Sequence, residues 1–275
     1  MSGQLDEIRA KLDRAEEHLD ALDERIPEWL SAEKPHGFSR HEDEGQRLYV
    51  FSFHELKPFP PWVAIIAGET VHQMRSALDH LVARTIEHQG GQVTTASGFP
   101  VIHTQRQWET RVAQRGKWWQ LWRKEGGPLK GIDPASHAWA LIQDAQPYHR
   151  GKQAGSHPLY VLNDLWNRDK HRSANYVWMA TTRQAILDMF TIEPPVEPIE
   201  RVALLPKDGT LINGAAIARF RFPADKPLPE MKVEHPLTRK VRTGKRGVKG
   251  DGRSIGLRDC LTFVRDIAQK FDELV

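Results

Sequence analysis

The chain all but lacks cysteine: Cys260 is the single one among 275 residues. One thiol excludes an internal disulfide and any zinc site built on clustered cysteines. Its place among Leu257, Leu261 and Val264 predicts packing in a core, where free cysteine behaves as a small apolar residue. No apolar run approaches the ~20 residues that span a bilayer, so no membrane partner is expected. The opening Met-Ser-Gly-Gln-Leu-Asp-Glu-Ile is acidic and amphipathic, the wrong chemistry for a secretion signal, and a cytoplasmic location is expected. A Walker phosphate loop is also missing: Gly244-Lys245 has neither the preceding glycine spacing nor a following Ser or Thr. Charge of one sign is scarcely in excess, with 39 Lys and Arg against 36 Asp and Glu, a net of +3. That balance permits an anionic partner without demanding one.

What is present centres on residues 61–88. Pro61 suits a first helical position, and Gly90-Gly91 supplies the stop. Val63, Ala67, Val71, Met74, Leu78, Leu81 and Thr85 recur at steps of three and four, which predicts one apolar stripe facing a core. At about 100° per residue, His72, Arg75, Ser76 and Asp79 form a polar flank beside that stripe, with Glu69 and His80 further round. Two histidines, an arginine and two acids differ from the Glu and Lys of an ordinary solvated face and point to a site. A lattice of intramolecular ion pairs is the competing account.

Leu5, Ile8, Leu12, Ala15, Leu19, Leu22 and Ile26 make a heptad seam, with Pro27 expected to end it. The acidic flanks (Asp6, Glu7, Asp13, Glu16, Glu17, Asp20) would repel nucleic acid, so the seam calls for another helix, either the main one or a second copy of the chain. Residues 34–45 read as polar and irregular, and Arg47–Glu55 as a strand. Thr104-Gln-Arg-Gln107 resembles a capping box opening a helix towards Lys124. That segment mixes Trp108, Trp118, Trp119 and Trp122 with Arg and Lys, which suits either stacked bases or buried anchors. Asp133-Pro134 is expected to open another helix and His157-Pro158 a third, with Leu159, Leu162, Leu165 and Trp166 inward. The third helix ends in a second dense polar cluster: Asn167, Asp169, Lys170, His171 and Arg172.

Strands are expected at Tyr176–Thr182, Arg201–Leu205, Ala215–Phe222 and Lys232–Glu234, the third with a wet face. Thr238–Arg253 reads as a basic, glycine-rich loop, either plain surface or an RNA-contacting arm. A closing helix over Ser254–Val275 turns Leu257, Leu261, Val264, Ala268 and Phe271 inward. The fold class expected is α+β: a mainly α-helical up-and-down bundle over 1–172, a small inserted antiparallel β-sheet over 173–254, and a helix at 255–275 returning to the bundle.

The segment Arg75-Ser-Ala-Leu-Asp-His80 resembles the R-x4-6-H motif of the HEPN superfamily. Together with Phe99-Pro100, Gln146-Pro147-Tyr148 and Asp169-Lys-His-Arg172, it also resembles a widespread group of bacterial proteins that carries no function with it. The HEPN resemblance implies RNA binding, and a metal-independent endoribonuclease in which His80 moves a proton and Arg75, beside Asp79, stabilises phosphate charge. His72, Ser76, Glu69, Asn167, Asp169, Lys170, His171 and Arg172 would then bind substrate. No cofactor and no DNA preference is expected. Five helical steps turn His80 about 140° from Arg75, so a shared phosphate requires that the arginine curl round, that the helix be distorted, or that two protomers face each other; the HEPN resemblance implies the last, a composite site in a homodimer. Two alternatives come from other classes: a metal-binding hydrolase or oxidase using His72, Asp79 and His171, and a non-catalytic interaction module.

Overall fold

The computed structural model describes residues 5–112, 127–171, 177–207, 209–233, 240–245 and 255–272. Its elements, in chain order, are α1 (Asp6–Glu33), β1 (His36–Asp43), β2 (Leu48–Glu55), α2 (Pro61–His88), and α3 (Gln105–Gln107) continuing into a π-helical turn, Trp108–Val112. Then come α4 (His137–Asp144), a 3-10 stretch (Pro147–Ser156), α5 (Pro158–His171), β3 (Val177–Ala180), α6 (Arg183–Asp188), β4 (Phe190–Glu193) and β5 (Glu200–Ala203). The last are β6 (Ala216–Arg221), β7 (Glu230–Val233), β8 (Lys240–Lys245), β9 (Ile255–Gly256) and α7 (Leu257–Asp272). The protein is thus mixed α+β with a small antiparallel sheet. It divides into two compact units: residues 1–23, 62–176 and 243–275 form one, and residues 24–61 and 177–242 the other.

The first unit is helical. Every residue of the expected α2 stripe is buried, and the Schellman pattern closes the helix: the Gly91 N–H donates to Ile86 O and the Gly90 N–H to Glu87 O, with Gly90 at φ +75°. The seam of α1 is buried too, within the chain itself. Its acidic flanks meet cations on neighbouring helices. Arg265 bonds Asp13 and Glu16, Arg258 bonds Asp20 and Asp23, and Arg9 reaches Asp272, so α1 and α7 run antiparallel. On α2, His80 and Arg84 reach Glu7 while Glu69 lies near His18, which makes that pair antiparallel as well. Cys260 is buried in α7, its thiol against Pro158 O, and burial pushes its pKa up. Inward-facing α7 residues include Ile267, where Ala268 was expected.

Pro27 does not end α1; the helix runs on to Glu33. Loss of one hydrogen bond and a ring clash cost about 3 kcal/mol. The residues beyond Pro27 offset that cost in the second unit, where Leu30 packs on the core and Trp29 lies 5.4 Å from the Phe59 ring. Asp133 and Pro134 likewise form a turn instead of a helix start. Asp133 caps the Ala135 N–H, and Ser136 is the residue that caps α4 through Trp139 N–H. Thr104 caps as expected, accepting from the Gln107 N–H, whereas the Gln107 side chain reaches back to His103 N–H. Of the four tryptophans, Trp108 is buried against Trp139 and Tyr148; Trp118, Trp119 and Trp122 lie outside the described residues.

The second unit is a sheet of order β1-β2-β6-β5, all antiparallel, over a core of Phe51, Phe53, Phe190, Phe220 and Phe222. Residues 36–43, read as irregular, are the edge strand β1. Their polar composition is what an edge requires, since a long apolar edge invites pairing with other chains. The sheet therefore draws in the hairpin 36–55 as well as strands after residue 177. A bulge opposite Phe51 and Ser52 swings Ile217 inward beside Ala218, while Arg219 and Arg221 stay half-exposed, both pairing with Glu200. Gly209, at φ +72°, lets Thr181 N–H reach its carbonyl; a Cβ there would stand 2.1 Å from Thr181 O. The basic segment expected as a loop contains strand β8; the side chains of Lys245, Arg246 and Lys249 lie outside the described residues.

Candidate functional site

The polar flank of α2 sends its side chains to three different places. Arg75 and Asp79, one turn apart, form an ion pair of 2.8 Å. Both also grip one residue of the loop after α2: Asp79 Oδ1 accepts the Phe99 N–H at 2.9 Å, and Arg75 Nη2 donates to the Phe99 carbonyl at 2.5 Å. Gly98 passes so near that a Cβ there would meet Asp79 Oδ1 at 3.0 Å. Arg75 is only 12 % exposed. Burial lowers its pKa, with Asp79 pulling the other way. Its Nη1 is buried and finds no hydrogen-bond partner among the described residues. The outcome is a clamp on the Phe99 peptide, and the Phe99 ring is buried.

His80 turns the other way. Its Nδ1 lies 3.0 Å from Glu7 Oε1, while Arg84 Nη2 holds Glu7 Oε2 at 3.2 Å. Arg84 and then His80 lower the pKa of Glu7. Arg75 and His80 therefore do not converge within one chain, as the 140° between them implies. The arginine that shares a partner with His80 is Arg84, one turn on, at a spacing the motif did not single out.

His72 and Glu69 face a third place, an open groove of about 600 Å³ bounded by α1, α2 and α5. The His72 ring sits 5.2 Å from that of Trp166, tilted by 42°. Glu69 Oε2 is 3.8 Å from His18 Nε2. Arg14 of α1 and Gln73 of α2 complete the polar lining; Ile65, 59 % exposed, adds an apolar lip. The groove thus joins the α2 cluster to α5, whose polar end was read separately. Ser76 is half-buried, and Asn167 is exposed. Asp169, Lys170 and His171 are in the last turn of α5 with side chains outside the described residues, and Arg172 lies outside them altogether.

Chemically, the groove offers two aromatic rings, an acceptor, an amide and a cation. Arg14, His18, Ile65, Gln73 and Trp166 were not among the expected site residues. Ile65 carried a signal, an apolar residue off the buried stripe, and Arg14 and His18 carried another by lying four apart on one helix face. Comparison with protein-family models, curated proteins and solved structures gives no match. Among the described residues no three His, Cys, Asp or Glu side chains gather where they could hold a metal ion. Of the set His72, Asp79 and His171, Asp79 serves Arg75 and Phe99 while His72 faces Trp166. No helix among the described residues is long and apolar enough to cross a membrane.

Proposed function

We propose that the protein is a HEPN-like RNA-binding protein whose binding site is the groove between α1, α2 and α5, and that it binds without cleaving. The observation that carries the reading is the His72–Trp166 ring pair in the lining of an open groove that Arg14 also lines. Single-stranded RNA is held by flat rings on which bases stack and by cations along the backbone, and this arrangement supplies both. The pairing of α1 acids with arginines of α7 removes much of the negative charge that would repel a polyanion there. Cleavage is left out because Arg75 is occupied by the Phe99 peptide and His80 by Glu7. A composite site between two copies would first have to take Arg75 from that clamp.

Binding of a labelled single-stranded RNA, followed by fluorescence anisotropy, tests this. His72→Ala and Ile65→Asp should each weaken binding roughly tenfold, the range expected for loss of one stacking platform. The RNA should stay intact. An unchanged affinity in both variants, or no binding by the wild type, rejects the groove as an RNA site.

A further inference from the structure

Resting on that reading, the geometry points to guanine as the base the groove accepts. Glu69, His72 and Gln73 all lie on the groove side of α2, with Glu69 and Gln73 one turn apart. Residues four apart on a helix are surface neighbours, about 5–6 Å between Cβ atoms. That spacing matches the width of one base edge.

An ionised carboxylate is acceptor-only, with two oxygens side by side. Guanine alone among the four RNA bases offers two adjacent donors on its Watson–Crick edge, N1–H and the exocyclic N2 amino group. Beside them it carries the O6 acceptor. Glu69 takes the two donors, and the Gln73 side-chain amide donates to O6. Adenine would turn its N1 lone pair, and cytosine its N3 lone pair, towards a negative oxygen. Uracil has one donor flanked by two carbonyls, so one carboxylate oxygen would face a carbonyl. The bases other than guanine therefore each set an acceptor against an acceptor and forgo a hydrogen bond that guanine makes.

Two further features fit. The His72 and Trp166 rings meet at 42°, so the guanine ring lies on one of them, and stacking is tolerant of base identity, so the choice falls to the edge. His18, 3.8 Å from the Glu69 carboxylate, lines the same groove. Arg14, exposed on α1, is placed for a phosphate; its present carboxylate partner, Glu17 at 2.7 Å, lies in a surface pair that an anion can replace.

The test uses full-length protein and short oligouridines carrying one central guanosine, inosine or adenosine. Inosine keeps N1–H but lacks the N2 amino group, so it removes one of the two donors and nothing else. Affinity should fall in the order guanosine, inosine, adenosine, with roughly tenfold or more between the extremes. Glu69→Gln should abolish the order while leaving the melting temperature unchanged, because Glu69 is half-exposed and not in the core. If the wild type binds all three alike, or Glu69→Gln keeps the guanosine preference, the guanine assignment is wrong and RNA binding by the groove stands. If the wild type binds none of them, the RNA reading falls and the guanine assignment falls with it.

Discussion

Arg75 and Phe99 are joined through the peptide: the guanidinium holds the Phe99 carbonyl while the arginine's own partner, Asp79, holds the Phe99 N–H. A loop residue is thereby fastened at both of its backbone polar groups by two side chains of one helix turn. Removing Asp79 leaves the largely buried guanidinium without its counter-charge, and removing Arg75 leaves the Phe99 carbonyl and a part-exposed carboxylate without theirs. Arg75→Ala should lower unfolding free energy by about 2 kcal/mol, less than the cost of breaking a fully buried pair because Asp79 is part-exposed. Arg75→Lys should recover only part, since one ammonium cannot reproduce the planar fork. Asp79→Asn keeps an acceptor for Phe99 N–H and should cost less, about 1–2 kcal/mol. Denaturant unfolding reads all three; wild-type stability in Arg75→Ala would show that the clamp carries no energy.

The seam of α1 is satisfied inside the chain, and this changes what its substitution should do. Leu12 and Leu19 are 2 % and 3 % exposed. Leu12→Ala and Leu19→Ala should each cost about 2–5 kcal/mol, the usual range for truncating a buried leucine. The mass of the assembly seen by light scattering should be the same as for the wild type at any concentration where both are folded. A loss of dimer with little loss of monomer stability would mean that the seam is an interface between copies after all.

Helix α2 is legible in the sequence because each of its features is local: proline at the start, glycines at the end, one apolar stripe between. The use of its polar face is not. Arg75 and Asp79 grip Phe99, twenty or more positions away in the chain, and no spacing rule reveals a partner supplied by a loop. The groove draws Arg14, Glu69, His72 and Trp166 from three helices, so each residue looks unremarkable in its own segment. Pro27 misleads for a related reason: the local penalty is real, and contacts of Trp29 and Leu30 outweigh it. Strand β1 was hidden by its edge position, where polar residues replace the alternation that betrays β2 and β6.

His157 gives the chain a built-in dependence on pH. The ring is 5 % exposed, stands edge-on to Phe263 at 4.7 Å, and accepts the Leu159 N–H at Nδ1, which caps the first turn of α5. Burial, and then the nearby positive charge of Arg150, lower its pKa to about 4. A proton on Nδ1 would also cancel the cap, because the nitrogen that accepts would become a donor. The unfolded chain protonates this residue near its ordinary pKa of about 6.5. Between about 6.5 and 4 the unfolded state therefore binds more protons, and stability falls as pH falls through that window; above it the full contribution is present. The loss should reach about 3 kcal/mol at the acid end. His157→Asn keeps a capping oxygen and removes the titration. Unfolding free energies of the two proteins, measured at intervals from pH 7 to about pH 4, should therefore converge as the wild type loses its advantage. Curves that stay parallel across the window would mean that His157 is free to protonate in the folded chain.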